Sequence, residues 1–442
     1  MKRRNRISYK SLKNRGVREN MIAIGTYIKI QRTKQKMTLG ELSEGIVSLS
    51  YLSKIENQKT EPNEDIIRKL CQRLSITTDH SQDEEIGELC RNWYTMLDES
   101  SNEHDMEASY REIQDLMDKN YSNHLIMFEI HKIKYFLLID RKDLAANKIT
   151  QLKEAVNTFS IEEQYYWYKF NGRYSYALKN YYHSMYQYKR AEKITESYRL
   201  DEEAEADLKY CISMTHSRLR NSLEAIEYAD EALEMYMKQY NFLRCARAHN
   251  ILGICYSHIK FYEKAIKNFT LGLQLAQTIN DKNIIQKIYQ NIGYLYASKG
   301  DSTKAIEYYK KVLGNQEVHG SIKVEVASLL VREYYHSNYY DEAEEYIDYG
   351  LSAFYDLKDK QPYVIYKYIL RSYSYLLDEQ LEQFEQLLVN DLLPLLKKQK
   401  DYGNFILYSE FLAKHYESNN NYKDAAQHYR EASQIYKHIA HI

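Results

Sequence analysis

Small side chains return at nearly constant intervals through this chain, and that periodicity limits the possible folds more than any other feature. Ala145, Ser184, Ala225, Ala265, Ala305, Ala343 and Ala425 stand 39, 41, 40, 40, 38 and 82 residues apart, the last interval holding a degenerate copy near Phe384. A second set, Gly172, Ser213, Gly253, Gly293 and Ala413, supplies their partners in the preceding segments. Such a period means repeated units that each bury an apolar face only against their neighbours. Small residues at both contacts let two paired helices approach closely. Composition agrees: 3 Pro and 14 Gly in 442 residues are too few for a turn-rich β-sandwich or for glycine-rich nucleotide loops. With 44% apolar residues and 46 Tyr there is ample material for a helical core. The chain reads as all-α.

Several functions are excluded by what is missing. The five cysteines (Cys71, Cys90, Cys211, Cys245, Cys255) form no C-x-x-C pair and no zinc spacing, which suits free thiols in a reducing cytosol. No apolar run approaches the roughly 18 residues of a membrane span, and residues 1–20 lack a secretory apolar stretch. A cytoplasmic protein with no membrane partner is expected. None of G-x-S-x-G, G-x-x-x-x-G-K-[ST], H-E-x-x-H or G-x-G-x-x-G occurs, so no enzyme, cofactor or metal is expected. His124 and His131, seven apart on one helical face, read as packing or surface residues.

Charge is distributed unevenly. Residues 1–20 carry eight basic groups against Glu19, and the first 76 residues sum to +10 within a chain whose net charge is −1. A basic head on an acidic body suggests that the head meets a polyanion. Residues 1–20 read as a basic disordered tail, as an arm that touches DNA, or as a stretch ahead of a true start at Met21.

Residues 21–76 hold short helical segments in close succession. Ile24 and Ile28 mark a helix from about Met21 to Lys36. Thr38 and Glu41 have capping-box spacing ahead of Leu39, Leu42 and Ile46. After a turn near Val47–Ser48 comes a third helix, with Leu52 and Ile55 inside and Ser50, Tyr51, Ser53 and Lys54 outside. Asn63 caps a helix carrying Ile66, Ile67, Leu70 and Leu74. Two short helices around a tight turn, the second with a small polar outer face, form helix-turn-helix geometry. Thr38 and Ser48 are placed to donate to phosphates, and Ser50, Tyr51 and Lys54 to reach base edges. Leu49 fits either a thymine methyl or the core.

The run Ile24-Gly25-x-x-Ile28-x-x-x-Arg32, then Thr38-Leu-Gly-Glu-Leu-Ser-Glu-Gly-Ile, Tyr51-Leu-Ser-Lys-Ile-Glu-Asn and Glu61-Pro62 resembles the Xre/Cro-type helix-turn-helix family. The resemblance implies an ion pair between Arg32 and Glu56 that orients the recognition helix. Gln58 departs from the pattern, standing where a glycine often follows that helix.

From about residue 86 the chain is helix after helix. Asn250-Ile-Leu-Gly-Ile-Cys-Tyr256, Ala265, Phe269 and Gly272 resemble the tetratricopeptide repeat, and Asn291-Ile-Gly-Tyr-Leu-Tyr296, Gly300, Ala305 and Tyr309 form the next copy. With a poorer copy over 86–121, eight or nine helical hairpins are expected, stacked into a right-handed superhelix with a concave face. In that repeat, the lining positions lie six and three residues before the small residue and one and four after it. They give Lys169, Arg173 and Tyr176, then Tyr210 and Ser217, then Arg247, Asn250 and Ser257. Lys287, Gln290, Tyr294 and Ala297 follow, and Arg332 and Tyr335 come last. Asn250 is suited to grip both N–H and C=O of an extended peptide, and the cations to meet a carboxylate. The Tyr runs, such as Tyr165-Tyr166-Trp167-Tyr168, fit helix packing better than base stacking.

The expected organisation is a basic tail (1–20), a helix-turn-helix domain (21–76), a linker (77–85) and a repeat domain (86–442) for peptide sensing and dimerisation. A reader of this type fused to such an array resembles the peptide-pheromone receptors of Gram-positive bacteria, the NprR, PlcR, PrgX and Rgg group, and NprR-like members in particular. The resemblance implies a homodimer that binds double-stranded operator DNA and is controlled by a short signalling peptide in the groove. Two other readings remain: Rap-like docking of a phosphorelay or response-regulator partner, and a DNA-anchored scaffold for a folded protein.

Overall fold

The computed structural model describes residues 24–77, 80–99, 102–314 and 318–440. Among these residues every named element is helical, and one parallel bridge joins Thr77 to Asn120. The basic segment 1–20 lies outside the described residues. The chain divides into two compact units, one ending at Asp201 and the other beginning at Glu202.

The first unit opens with α1 (24–34), α2 (Leu39–Ser43), α3 (Leu49–Glu56) and α4 (Glu64–Arg73). Each start signal in the sequence operates. The Thr38 hydroxyl accepts from Glu41 N while the Glu41 carboxylate accepts from Thr38 N, a complete capping box. Ser48 and Asn63 cap α3 and α4 by accepting from Tyr51 N and Ile66 N. Leu42, Leu52, Ile55 and Leu70 fill the core beneath these caps. Gly25 is required where α1 crosses the end of α3: a Cβ there would overlap the carbonyl oxygen of Ile55.

The implied ion pair is present. Arg32 Nε and Nη2 donate to the two Glu56 carboxylate oxygens at 2.6 and 2.8 Å, and Nη1 donates to Met37 O at 2.8 Å. Gln58 takes the left-handed conformation (φ +56°) that a glycine adopts more easily. Its side chain compensates by donating to Thr26 Oγ1 at 2.6 Å.

The ends of the expected linker 77–85 are both tied down. Thr77 N donates to Lys119 O and Tyr121 N to Thr77 O, both at 2.8 Å, and the next long helix, α5, already begins at Asp83. That helix (Asp83–Glu99) pairs with α6 (Glu103–Lys119), followed by α7 (Leu125–Leu138) with α8 (Lys142–Leu152) and α9 (Ile161–Ala177) with α10 (Tyr181–Thr195). The helix-turn-helix is docked on these hairpins through α1. Tyr27 Oη donates to Asn120 O (3.1 Å), Gln31 Nε2 to Met117 O (3.0 Å), and the Thr26 and Thr158 hydroxyls meet at 2.9 Å. Tyr27 and Gln31 are fully buried, so α1 shows the first hairpins as specific a face as it shows α3.

His131 is a packing residue. It stacks on Tyr94 with ring centroids 3.8 Å apart, and burial pushes its pKa down to about 3, so the ring stays neutral. On the same helix the buried Glu129 accepts from Lys132 and Lys148, both at 2.5 Å.

The second unit stacks six hairpins: α11 (Glu202–Arg218) with α12 (Ser222–Lys238), α13 (Phe242–His258) with α14 (Tyr262–Thr278), and α15 (Lys282–Ser298) with α16 (Ser302–Leu313). Then come α17 (Gly320–His336) with α18 (Tyr340–Tyr355), and α19 (Val364–Leu377) with the pair α20 (Leu381–Leu387) and α21 (Leu393–Lys398). The last hairpin is α22 (Tyr402–Ser418) with α23 (Tyr422–Ala440). Three hairpins in the first unit and six here make nine among the described residues. The degenerate copy is the fifth of these six: a π-helical turn over Leu388–Leu392 separates α20 from α21. Pro394, which has no N–H to donate, stands just beyond it.

The small residues act as read from the sequence, with one addition. Ala225, Ala265, Ala305 and Ala343 are fully buried, and the Ser184 hydroxyl donates to Gly172 O across its hairpin at 2.9 Å. The first-helix glycines also seat an aromatic ring from the second helix. A Cβ on Gly253 would stand 2.5 Å from Phe269 Cδ1. We therefore expect Gly253→Ala to lower stability. Overpacking of about 1–3 kcal/mol exceeds the roughly 1 kcal/mol that Ala gains in a helix. A Tm equal to or above wild type would refute this account of the glycine.

Helix ends explain how a glycine-poor chain makes so many turns. Lys179, Arg220, Tyr240, Lys260, Asn280, Asn338, Glu379, Lys400 and Asn420 all have φ between +53° and +64°. At Lys260, Phe261 N donates to Tyr256 O (2.9 Å) and Lys260 N to Ser257 O (3.0 Å), which closes the preceding helix.

Candidate functional site

The first candidate surface is the outer face of α2 and α3. Ser48, Leu49, Ser50 and Lys54 are exposed and Tyr51 is half-buried, while Leu52, Ile55 and Glu56 face inward. Leu49, open to either role from its sequence, is 55% exposed and so belongs to the outer face. The Ser48 and Ser50 hydroxyls are 3.3 Å apart. Thr38 is exposed, but its hydroxyl also donates to Glu41 Oε2 at 2.8 Å, so a phosphate would have to compete with a carboxylate there.

The second candidate surface is the run of first helices in the second unit. On α13 the lining residues Arg247, Asn250 and Ser257 are half-buried, and on α15 Lys287 and Tyr294 are exposed with Gln290 half-buried. Three polar contacts tie consecutive helices together. Asn291 Nδ2 donates to Asn250 Oδ1 at 2.8 Å and Gln290 Nε2 to Glu325 Oε1 at 2.8 Å. Glu325 is also hydrogen-bonded with Tyr366 on α19.

Several residues behave differently from their sequence reading. Lys169 is 3% exposed, with its ammonium 5.5 and 5.7 Å above the Tyr165 and Tyr166 rings, so it fills the interior of the first unit and does not line an open surface. Arg173 and Tyr176 share that helix and are half-buried. Tyr210 is half-buried on α11 and Ser217 is buried. Arg332 was expected as a cation for a peptide carboxylate, but its Nε and Nη2 both lie 3.1 Å from Glu333 Oε1. Asn250 already has its oxygen accepting from Asn291. The donor and acceptor offered to a peptide backbone are therefore divided between two carboxamides, Asn250 Nδ2 and Asn291 Oδ1.

Glu325 and Tyr366, which the contacts between first helices bring in, are not among the lining residues read from the sequence. The lining offset reaches both: Glu325 lies six residues before Val331, and Tyr366 six before the buried Ser372. Neither carries a positive charge, so a reading built on cations does not reach them.

Comparison with known proteins gives these surfaces a family. Residues 28–80 match the helix-turn-helix family and residues 244–317 the tetratricopeptide repeat. Over 410 residues the chain is 33% identical to "Transcriptional activator NprA" of Geobacillus stearothermophilus, spanning 91% of this chain and all of that protein. The chain belongs to the NprA family of transcriptional regulators. Two solved structures share the fold. One is a Rap protein complexed with competence and sporulation factor (TM-score 0.66, 21% identity, 81% of this chain and 99% of that one). The other is NprR in complex with its cognate peptide NprX (TM-score 0.59, 19% identity, 80% and 98%). The family match covers both candidate surfaces, the reader at the N-terminal end and the repeats that carry Asn250 and Gln290. Among the described residues no helix is long and apolar enough to cross a membrane.

Proposed function

We propose that this regulator is a cytoplasmic homodimer that reads operator DNA through α2 and α3 and is controlled by a short signalling peptide lying along α13, α15 and α17. The observation that carries the reading is the ladder of carboxamide hydrogen bonds, Asn291 to Asn250 and Gln290 to the Glu325 carboxylate, laid across successive first helices. An extended peptide presents a donor and an acceptor at each residue, and this ladder has both. The peptide-bound states of two proteins with this fold, and the family's role in transcription, support it.

On the DNA side, Ser48 and Thr38 set position on the phosphates, while Ser50, Tyr51 and Lys54 read base edges. A paired reader would meet inverted half-sites spaced by multiples of about 10–10.5 bp. The expected result for Lys54→Ala is a loss of discrimination of about 1–3 kcal/mol at one base position of each half-site. Thr38→Ala should weaken all sequences alike. Footprints and competition titrations measure both. Base preferences unchanged in Lys54→Ala, Tyr51→Ala and Ser50→Ala would remove α3 as the reading helix.

A further inference from the structure

Two sets of contacts hold the end of α3. One is the grip of Arg32 on Glu56. The other is a chain of side-chain hydrogen bonds that leaves the helix-turn-helix altogether. Gln58 Nε2 donates to Thr26 Oγ1 at 2.6 Å, the Thr26 and Thr158 hydroxyls are 2.9 Å apart, and Thr158 Oγ1 donates to Ala155 O at 2.6 Å. The direction of each bond follows. A hydroxyl has one proton, and that of Thr158 is committed to Ala155 O, so Thr26 donates to Thr158 while it accepts from Gln58.

Thr26 is fully buried and follows Gly25, where α1 meets the Ile55 carbonyl at the end of α3. The first turn of α1 thus touches both the end of the recognition helix and the segment 153–158 that joins α8 to α9. That segment is well anchored: Ala155 and Phe159 are buried, and Ser160 accepts from Glu163 N to cap α9. Lys29 and Glu154 add an ion pair at 3.4 Å between the same two elements, but Glu154 is in solvent and the pair contributes little. Gln58 stands in a left-handed conformation that is unfavourable for a residue with a side chain. A glycine would adopt it freely; the glutamine bears it and gains the bond to Thr26.

We propose that Thr158, a residue of the repeat body, is a positioning residue for DNA reading, acting through Thr26 and Gln58 to fix the end of the recognition helix. The proposal rests on the reading of α3 as the helix that meets base edges. A helix held in its bound orientation beforehand loses less freedom on binding. Hydrogen bonds to base edges need that orientation, whereas attraction to phosphates does not. The chain therefore bears on specificity more than on total affinity for DNA. It also ties α3 to the stretch that opens α9, so a displacement of that stretch reaches the recognition helix through Thr158 and Thr26.

The test titrates the full chain with two duplexes of equal length, one selected by the wild-type protein from random sequence and one scrambled. Thr158→Val keeps the side-chain shape and leaves the Thr26 proton without its acceptor. The ratio of selected to scrambled affinity should fall about three- to tenfold, with scrambled binding unchanged. Thr158→Ser should restore the ratio. Gln58→Gly should lower it equally while unfolding close to the wild-type temperature, because the lost bond is offset by relief of the left-handed side chain. That arm separates positioning from stability. The double variant Thr158→Val/Gln58→Gly should be no worse than either single one, since both cut the same chain. An unchanged ratio in Thr158→Val, a Thr158→Ser as weak as Thr158→Val, or a double variant at the product of the two single effects would overturn the relay. Lys54→Ala belongs in the same titration. A normal ratio there overturns α3 as the reader, whereas a reduced ratio there beside a normal one in Thr158→Val overturns the relay alone.

Discussion

Arg32→Ala should destabilise the first unit by about 3–5 kcal/mol, the usual consequence of stripping one partner from a buried ion pair. The pair is well shielded: the side chains of Arg32 and Glu56 are 13% and 3% exposed. Removing the guanidinium leaves the Glu56 carboxylate buried without its counter-charge and Met37 O without its donor. Glu56 ends α3, so operator binding should fall together with stability. Both tryptophans, Trp93 and Trp167, lie in the first unit, so their fluorescence in a urea titration reports its unfolding. The double variant Arg32→Met/Glu56→Leu should regain most of the loss, because a well-shaped apolar pair avoids the desolvation cost of both charges. Equal destabilisation in the single and double variants would mean that the unpaired charge is not the cause.

Asn250→Ala is expected to have the second large effect, on regulation. A peptide alters operator affinity only as far as it binds one conformation more tightly than another, and couplings of this type are about 1–3 kcal/mol, or roughly 5- to 150-fold. Truncating Asn250 removes its Nδ2 donor and releases Asn291, so the peptide-dependent change should collapse toward unity. Operator affinity without peptide is the reference in the same titration. Asn291→Ala should have a similar effect, and the double variant should be little worse than either, since the two carboxamides act as a unit. Normal binding of the cognate peptide to Asn250→Ala by calorimetry would move the site elsewhere.

The helix-turn-helix was legible almost residue by residue because its signals are local. Thr38 with Glu41, Ser48 with Tyr51 N and Asn63 with Ile66 N are caps spanning three residues, which a linear reading captures. The hairpins were legible because one small residue per copy is a geometric necessity repeated many times. The availability of the proposed lining residues was not legible: Lys169 is held over Tyr165 and Tyr166, and Arg332 is paired with Glu333.

The amino-acid order by itself determined the all-helical repeat, the reader at its head and the Arg32–Glu56 pair. All of these follow from periodicity or from motifs that repeat within one element. The tertiary structure alone decided that α1 docks on the first hairpins through Tyr27 and Gln31, and that the Asn250 oxygen accepts from Asn291. It also decided that Glu325 accepts from Gln290 and is hydrogen-bonded with Tyr366. The physical reason is burial: whether a polar side chain is available or committed depends on neighbours tens of residues away in sequence, brought close only when the helices stack.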